Sequence, residues 1–241
     1  MNAAQQFFDE VLGAFASITG GWDCTPSVLA AAAVSVLPMD AAGVSLIDDA
    51  LRLPLGASSA AVTVAERLQV TLGVGPCLDA AAARAALVAD AESIARRWPV
   101  YAIQLTECTP FRSVAAVPLY DRPLHVFGAL NLYSTRPTPS SDFDPHAAAA
   151  VAVEMSRFLT GNLPGLGGDV DENLNGWLNV PSAVDRIQVW TAVGMVMDEF
   201  EEGDAAALAR LRGHAFTSDL SLDQLASCVI SLDVPLADLH H

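Results

Sequence analysis

Two neighbouring apolar stretches constrain this chain more than anything else in it. Ser113-Val114-Ala115-Ala116-Val117-Pro118-Leu119 and His125-Val126-Phe127-Gly128-Ala129-Leu130-Asn131-Leu132-Tyr133 are rich in strand-forming residues, and the turn between them carries Asp121-Arg122-Pro123. So short a connection forces an antiparallel hairpin, because a parallel crossover needs a dozen or more residues. A purely parallel, doubly wound sheet is excluded at that point. A weaker pair precedes it, Ala42–Ile47 and Leu51–Leu55 around Asp48-Asp49.

Helical patterns surround these strands. Phe7, Phe8, Val11, Leu12, Phe15 and Ile18 recur at helical spacing over Gln5–Ile18, which Gly20-Gly21 ends. Thr25 followed by Pro26 starts a second helix running to Leu37. Val62–Leu72 is helical, Gly73-Val74-Gly75-Pro76-Cys77 is a loop, and a short helix Leu78–Ala86 leads into a strand ending at Ala89. Ser93–Glu107 is helical on both sides of Pro99. Asp144 with Pro145 caps a long helix to Leu159.

Gly161–Gly168 then packs four glycines and a proline into eight residues, a linker composition. The C-terminal remainder is entirely helical: Pro181–Phe200, Asp204–Ala215 and Ser221–Leu232, the last opened by Ser221 and Gln224 in capping-box spacing. The expected fold is α+β. Residues 1–160 form an antiparallel sheet flanked by helices, 161–179 a linker, and 180–241 a separate three-helix unit.

The 52% apolar fraction supplies a core. No apolar run reaches a membrane-spanning length, and the N-terminus lacks a basic region before an apolar one, so a cytoplasmic location is expected. Cys24, Cys77, Cys108 and Cys228 have no metal-ligand or CxxC spacing, and no metal or cofactor is expected. No phosphate loop, nucleophile triad or zinc motif is present, so the chain reads as a non-enzyme.

Four stretches in order resemble GAF domains of the kind found in actinobacterial GAF–ANTAR regulators. They are Gly73-Val74-Gly75-Pro76-Cys77-Leu78-Asp79-Ala80, Arg97-Trp98-Pro99, Arg112–Leu119 and Gly128-Ala129-Leu130-Asn131-Leu132-Tyr133-Ser134. Val74 departs from the acidic residue usual there. The tail resembles the three-helix ANTAR module at Arg186, Val189, Ala192, Gly194, Met195 and Met197, then Ala206, Leu208 and Leu211-Arg212, then Leu222, Leu225 and Ala226. The family's Gln-Ala-Lys-Gly run stands here as Thr191-Ala192-Val193-Gly194. The resemblance implies a small-molecule sensor controlling an RNA-hairpin-binding antiterminator, working as a homodimer through its terminal helices and without a membrane partner.

Charge bears directly on that implication. The net charge is −16, and all twelve basic residues are arginine. Residues 161–241 hold thirteen acids against Arg186, Arg210 and Arg212, a poor endowment for phosphate contacts. These three arginines form a reduced RNA-binding patch or an ordinary solvated surface. Arg210 and Arg212 lie about 200° apart around a helix, so only one can share a face with Arg186. The alternative to RNA binding is a regulatory interaction or dimerisation protein whose ANTAR-like tail no longer binds RNA.

Other residues also carry two readings. Cys77 is a ligand contact or redox sensor of the sensor pocket, or a small residue buried after a tight turn. Asn131, polar between Leu130 and Leu132, lines the ligand pocket or bonds a backbone group. Gly194 in mid-helix points to close helix packing or to close approach of RNA. Asp198-Glu199-Phe200-Glu201-Glu202 is a solvated helix end.

Overall fold

The computed structural model describes residues 2–17, 26–48, 51–161 and 181–240. The linker Gly161–Gly168 beyond its first residue, Cys24, Thr25 and the Gly20-Gly21 stop lie outside the described residues, as do the side chains of 181–187, Arg186 included.

The sheet has five strands in the order β2-β1-β5-β4-β3. They are β1 (Ala41–Asp48), β2 (Leu51–Ala57), β3 (Leu87–Ala89), β4 (Ser113–Arg122) and β5 (His125–Ser134). Every pairing is antiparallel. The central hairpin runs further than its apolar residues suggest: Arg122 pairs with His125, and Leu124 takes the turn's left-handed conformation at φ 67°.

Strand alternation sends successive side chains to opposite faces. Val44, Leu130, Leu132, Ala115 and Val117 pack on the face covered by α1 (Ala3–Ser17), α2 (Pro26–Val36) and α7 (Pro145–Leu159). On that face α1 and α7 meet each other, with Phe7 edge-on to Phe158 at 6.2 Å and Phe8 tilted against it at 5.6 Å. Phe7 and Val11 of α1 and Val151, Met155 and Phe158 of α7 are buried within the chain, while Val153 is exposed.

The opposite face carries α3 (Ala60–Leu72), α4 (Pro76–Ala83), α5 (Ala91–Arg97) and α6 (Pro99–Cys108). Trp98, between α5 and α6, is buried in that layer with Ile94, Tyr101 and Leu105, and Arg97 lies over its ring. Caps agree with the sequence signals. Asp144 accepts from the His146 amide with Pro145 in the first turn, and Ser221 and Gln224 complete a reciprocal capping box.

The tail folds as α8 (Pro181–Phe200), α9 (Asp204–Thr217) and α10 (Leu222–Ile230), ending in a short 3-10 turn Leu236–His240. Val189, Val193, Val196, Leu208, Leu211, Leu222, Leu225 and Val229 form their core. Val70 of α3 joins that core, so the tail helices rest on the sensor-side helix layer. Gly194 does not serve close helix packing. It is exposed, and an added Cβ would meet nothing within 4 Å.

Candidate functional site

Beneath α3 lies a polar cluster sealed from solvent. Arg52 of β2, Ser45 of β1, Asn131 and Tyr133 of β5, Glu66 and Gln69 of α3, Tyr101 of α6 and Cys77 of α4 are all at most 1% exposed. Register explains the gathering. Ser45 lies across from Ala129, Gly43 across from Asn131 and Ala41 across from Tyr133, so these strands point one row of side chains at α3.

Glu66 is the hub. Its Oε2 accepts from Ser45 Oγ at 2.5 Å, from Asn131 Nδ2 at 3.2 Å and from Arg52 Nη2, while Oε1 accepts from Tyr133 OH. Arg52 Nη1 also donates to the Glu66 carbonyl at 2.7 Å. The guanidinium is thereby held to both side chain and backbone of one residue. Burial works against the Arg52 charge, but the Glu66 carboxylate paired with it outweighs that and holds the guanidinium protonated.

Gln69 links this cluster to the glycine loop. Its amide donates to Tyr133 OH at 3.1 Å, and its carbonyl accepts from the Cys77 amide at 3.1 Å. Gly75 has φ 148°, and a Cβ there would sit 2.5 Å from Gln69 Oε1. A side chain at 75 would therefore push out the bond that pins Cys77, which is the physical reason for glycine in that loop.

Cys77 does not precede the helix as its sequence position suggested; it lies inside the first turn of α4 and is fully buried. Burial pushes its thiol up to about 12, against the lowering influence of Arg52. The thiol is therefore held protonated at neutral pH, which argues against the redox-sensor reading. Tyr101 and Tyr133 are likewise pushed well above the ordinary phenol range, by burial first and by Glu66 second. Asn131 bonds neither a backbone group nor an open pocket but the Glu66 carboxylate. Arg52 Nε, Tyr101 OH and Asn131 Oδ1 are buried without a partner among the described residues.

The sequence reading missed Arg52, Ser45, Glu66, Gln69 and Tyr101. A signal existed for two of them. Arg52 is the one charge in Leu51-Arg52-Leu53-Pro54-Leu55, and Glu66 stands four after Val62 and four before Val70, on one face of the helix.

Arg210 and Arg212 of the tail have different partners. Arg210 donates to both carboxylate oxygens of Glu202 at 3.0 and 2.9 Å and to the Leu239 carbonyl at 3.1 Å, and it stacks over Phe200. Glu202 is thus a partner of Arg210, whereas Asp198, Glu199 and Glu201 are exposed. Arg212 turns towards the sensor layer and donates to the Val70 carbonyl at 3.2 Å; burial lowers its pKa. A second bond seals the same contact, Leu222 N–H to Thr71 Oγ1 at 3.3 Å. Val193 is buried in the tail core.

The GAF domain family model matches residues 25–159, the stretch holding the sheet and the buried cluster. The chain belongs to the GAF domain family. That assignment makes signal sensing the role of this part of the chain. Against curated proteins the chain finds no match. Among solved structures it is similar to the free methionine-R-sulfoxide reductase of Neisseria meningitidis in complex with its substrate, at 17% identity, over 65% of this chain and 90% of that one, TM-score 0.40. It is also similar to the GAF domain region of a putative membrane protein from Geobacter sulfurreducens PCA, at 14% identity, over 63% of this chain and 95% of that one, TM-score 0.38. No described helix is long and apolar enough to cross a membrane, and no group of metal-ligating side chains occurs among the described residues.

Proposed function

We propose that this chain is a non-enzymatic, cytoplasmic transcription regulator in which the GAF domain senses a small molecule and the C-terminal helices, of ANTAR type, bind RNA hairpins and prevent termination. The observation that carries the reading is mechanical. Arg212 and Leu222 of the tail bond to Val70 and Thr71 on α3, the helix that holds Glu66 and Gln69 in the buried cluster. A ligand that shifts α3 therefore moves the seat of the output helices. The tail's family-like residues Arg186, Gly194 and Leu211-Arg212 support the RNA part, and the buried protonated thiol of Cys77 supports the non-catalytic part.

A specific observation favours a second reading. Arg210 is spent on Glu202 and Leu239, Arg212 on Val70, and the family's lysine is a core valine. On this reading the tail engages a protein partner or a second copy. Fluorescence anisotropy with a double-hairpin RNA across a salt series separates the two. RNA binding predicts a measurable affinity whose salt slope reflects two or three phosphate contacts, with Arg186→Ala removing most of it. No binding at low salt refutes the antiterminator reading and leaves the protein-partner one. Tight binding that survives Arg186→Ala misplaces the contact face.

A further inference from the structure

On α8 the residues Trp190, Gly194 and Met197 fall at i, i+4 and i+7, within about 60° of one another around the helix. Trp190 is 45% exposed and Met197 36%, the one exposed tryptophan and the one exposed methionine among the described residues. Gly194 stands between them, exposed, with open space where a Cβ would be. A glycine inside a helix costs about 1 kcal/mol against alanine. Nothing among the described residues packs against it, and it leaves the backbone of this face open to close approach by another helix. Val189, Ala192, Val193 and Val196 fill the tail core from the other side of α8, so the fold does not use this face. The exposed acids Asp198 and Glu199 lie at its C-terminal end with Glu201 just beyond, where the helix dipole is negative as well. Arg210, stacked on Phe200 at the same end, is held by Glu202 and the Leu239 carbonyl.

We infer that this face of α8 docks a basic amphipathic helix of a partner protein. The partner's apolar stripe lies on Trp190 and Met197, the two backbones cross closest at Gly194, and its lysines or arginines meet Asp198, Glu199 and Glu201. The inference rests on the protein-partner reading of the tail and names that partner's chemistry. Charge selects the occupant. A second copy brings the same acids and the same net charge of −16, so two such faces repel each other. RNA phosphates meet the same obstacle. The residue types suit a helix laid on the stripe: tryptophan is enriched among the side chains that carry binding energy at interfaces, and the flexible thioether of methionine adapts to an apolar partner.

Fluorescence anisotropy of a labelled Leu/Lys peptide of helical periodicity, titrated with the full chain at physiological salt, tests this. Saturable one-to-one binding is expected, at least about tenfold tighter than for a peptide of the same composition with its periodicity scrambled. Trp190→Ala should weaken it about tenfold or more, the range of an interface anchor. Gly194→Gln puts a better helix former at the crossing point, so it should weaken binding while leaving the fold intact. Circular dichroism and melting check the fold of both variants. Asp198→Asn/Glu199→Gln should weaken binding and flatten its salt dependence. Ile103→Ala, at an exposed apolar position on α6, should change nothing. Equal binding of the scrambled peptide, or binding unchanged in either Trp190→Ala or Gly194→Gln, overturns the proposal. Displacement of the peptide by the double-hairpin RNA also overturns it and gives the face to RNA. A dimer in sedimentation velocity that Gly194→Gln dissociates overturns it too and gives the face to a second copy. The protein-partner reading is decided by RNA titration and this inference by peptide titration, so the two fail separately.

Discussion

Replacing Glu66 by glutamine tests whether the buried cluster is held by charge. The carboxylate takes four side-chain donors, from Ser45, Arg52, Asn131 and Tyr133. An amide offers one acceptor oxygen and turns its nitrogen, itself a donor, towards some of those groups. The Arg52 guanidinium, 1% exposed, is left without a counter-charge. Removing one partner of a buried pair costs about 3–5 kcal/mol. In a chain of this size that lowers the melting temperature by roughly 6–20 °C, at about 2–4 °C per kcal/mol. The assay is urea unfolding monitored by far-ultraviolet circular dichroism for wild type, Glu66→Gln, Arg52→Met and the Arg52→Met/Glu66→Leu pair. The double replacement should recover part of the loss, because it removes the unpaired charge but leaves the Ser45, Asn131 and Tyr133 donors without their acceptor. A loss below about 1 kcal/mol for Glu66→Gln, or a double variant no better than the singles, would refute the charge-pair account of this core.

Three further outcomes are expected. Gly194→Ala should raise stability by about 1 kcal/mol, since the added Cβ meets open space and alanine is the better helix former; a loss in urea titration would restore the packing reading. At pH 8, thiol labelling of the native chain should modify exposed Cys108 quickly and buried Cys77 only on unfolding, and fast labelling of Cys77 in mass spectra would contradict its raised pKa. The sign of that shift also sets an alkaline limit: the native state holds the Cys77 proton, so its contribution is complete below the unfolded thiol's pKa and is lost as pH rises towards about 12. Arg212→Ala should raise amide exchange at Leu222 and in α10 while leaving the central strands protected, and uniform protection would show that the Val70 bond does not seat the tail.

How much of this was legible in the sequence depended on the range of the interaction. Local signals sufficed for the hairpin β4–β5, the Asp144-Pro145 start of α7 and the Ser221–Gln224 capping box, because each is decided within a few residues. The start of α4 was misplaced by two residues: Pro76 is not a loop residue but the first helical one, where its fixed φ suits the helix. The polarity of Asn131 drew attention, yet its partner sits 65 positions away on α3, and no local pattern names it. Arg52 and Glu66 were passed over for a related reason. Arg52 is a single charge in an apolar run and Glu66 is followed by Arg67, patterns that ordinarily signal the solvent face, and only the topology that lays α3 over β1 and β2 turns Arg52 and Glu66 inward together. For Arg212 the helical wheel correctly separated it from Arg210 but could not say that its side of α9 faces the sensor.

Helix α3 consequently has a particular place in the molecule. Over two turns it presents Glu66 and Gln69 to the buried cluster and Val70 and Thr71 to the tail. A helix is stiff over so short a length, so a displacement at one set of contacts is passed to the other unless the helix breaks. The two sets differ in what they cost to disturb. The cluster is charged and sealed, so losing one of its members leaves a charge unpaired in a low-dielectric interior. The tail's contacts with α3 include one guanidinium bond to a backbone carbonyl, one amide-to-hydroxyl bond and the side chain of Val70, each worth about 1 kcal/mol or a few. Of these two sets of bonds, those to the tail are the cheaper to disturb when α3 moves. That asymmetry is what a sensing domain needs if it is to change its output without unfolding itself.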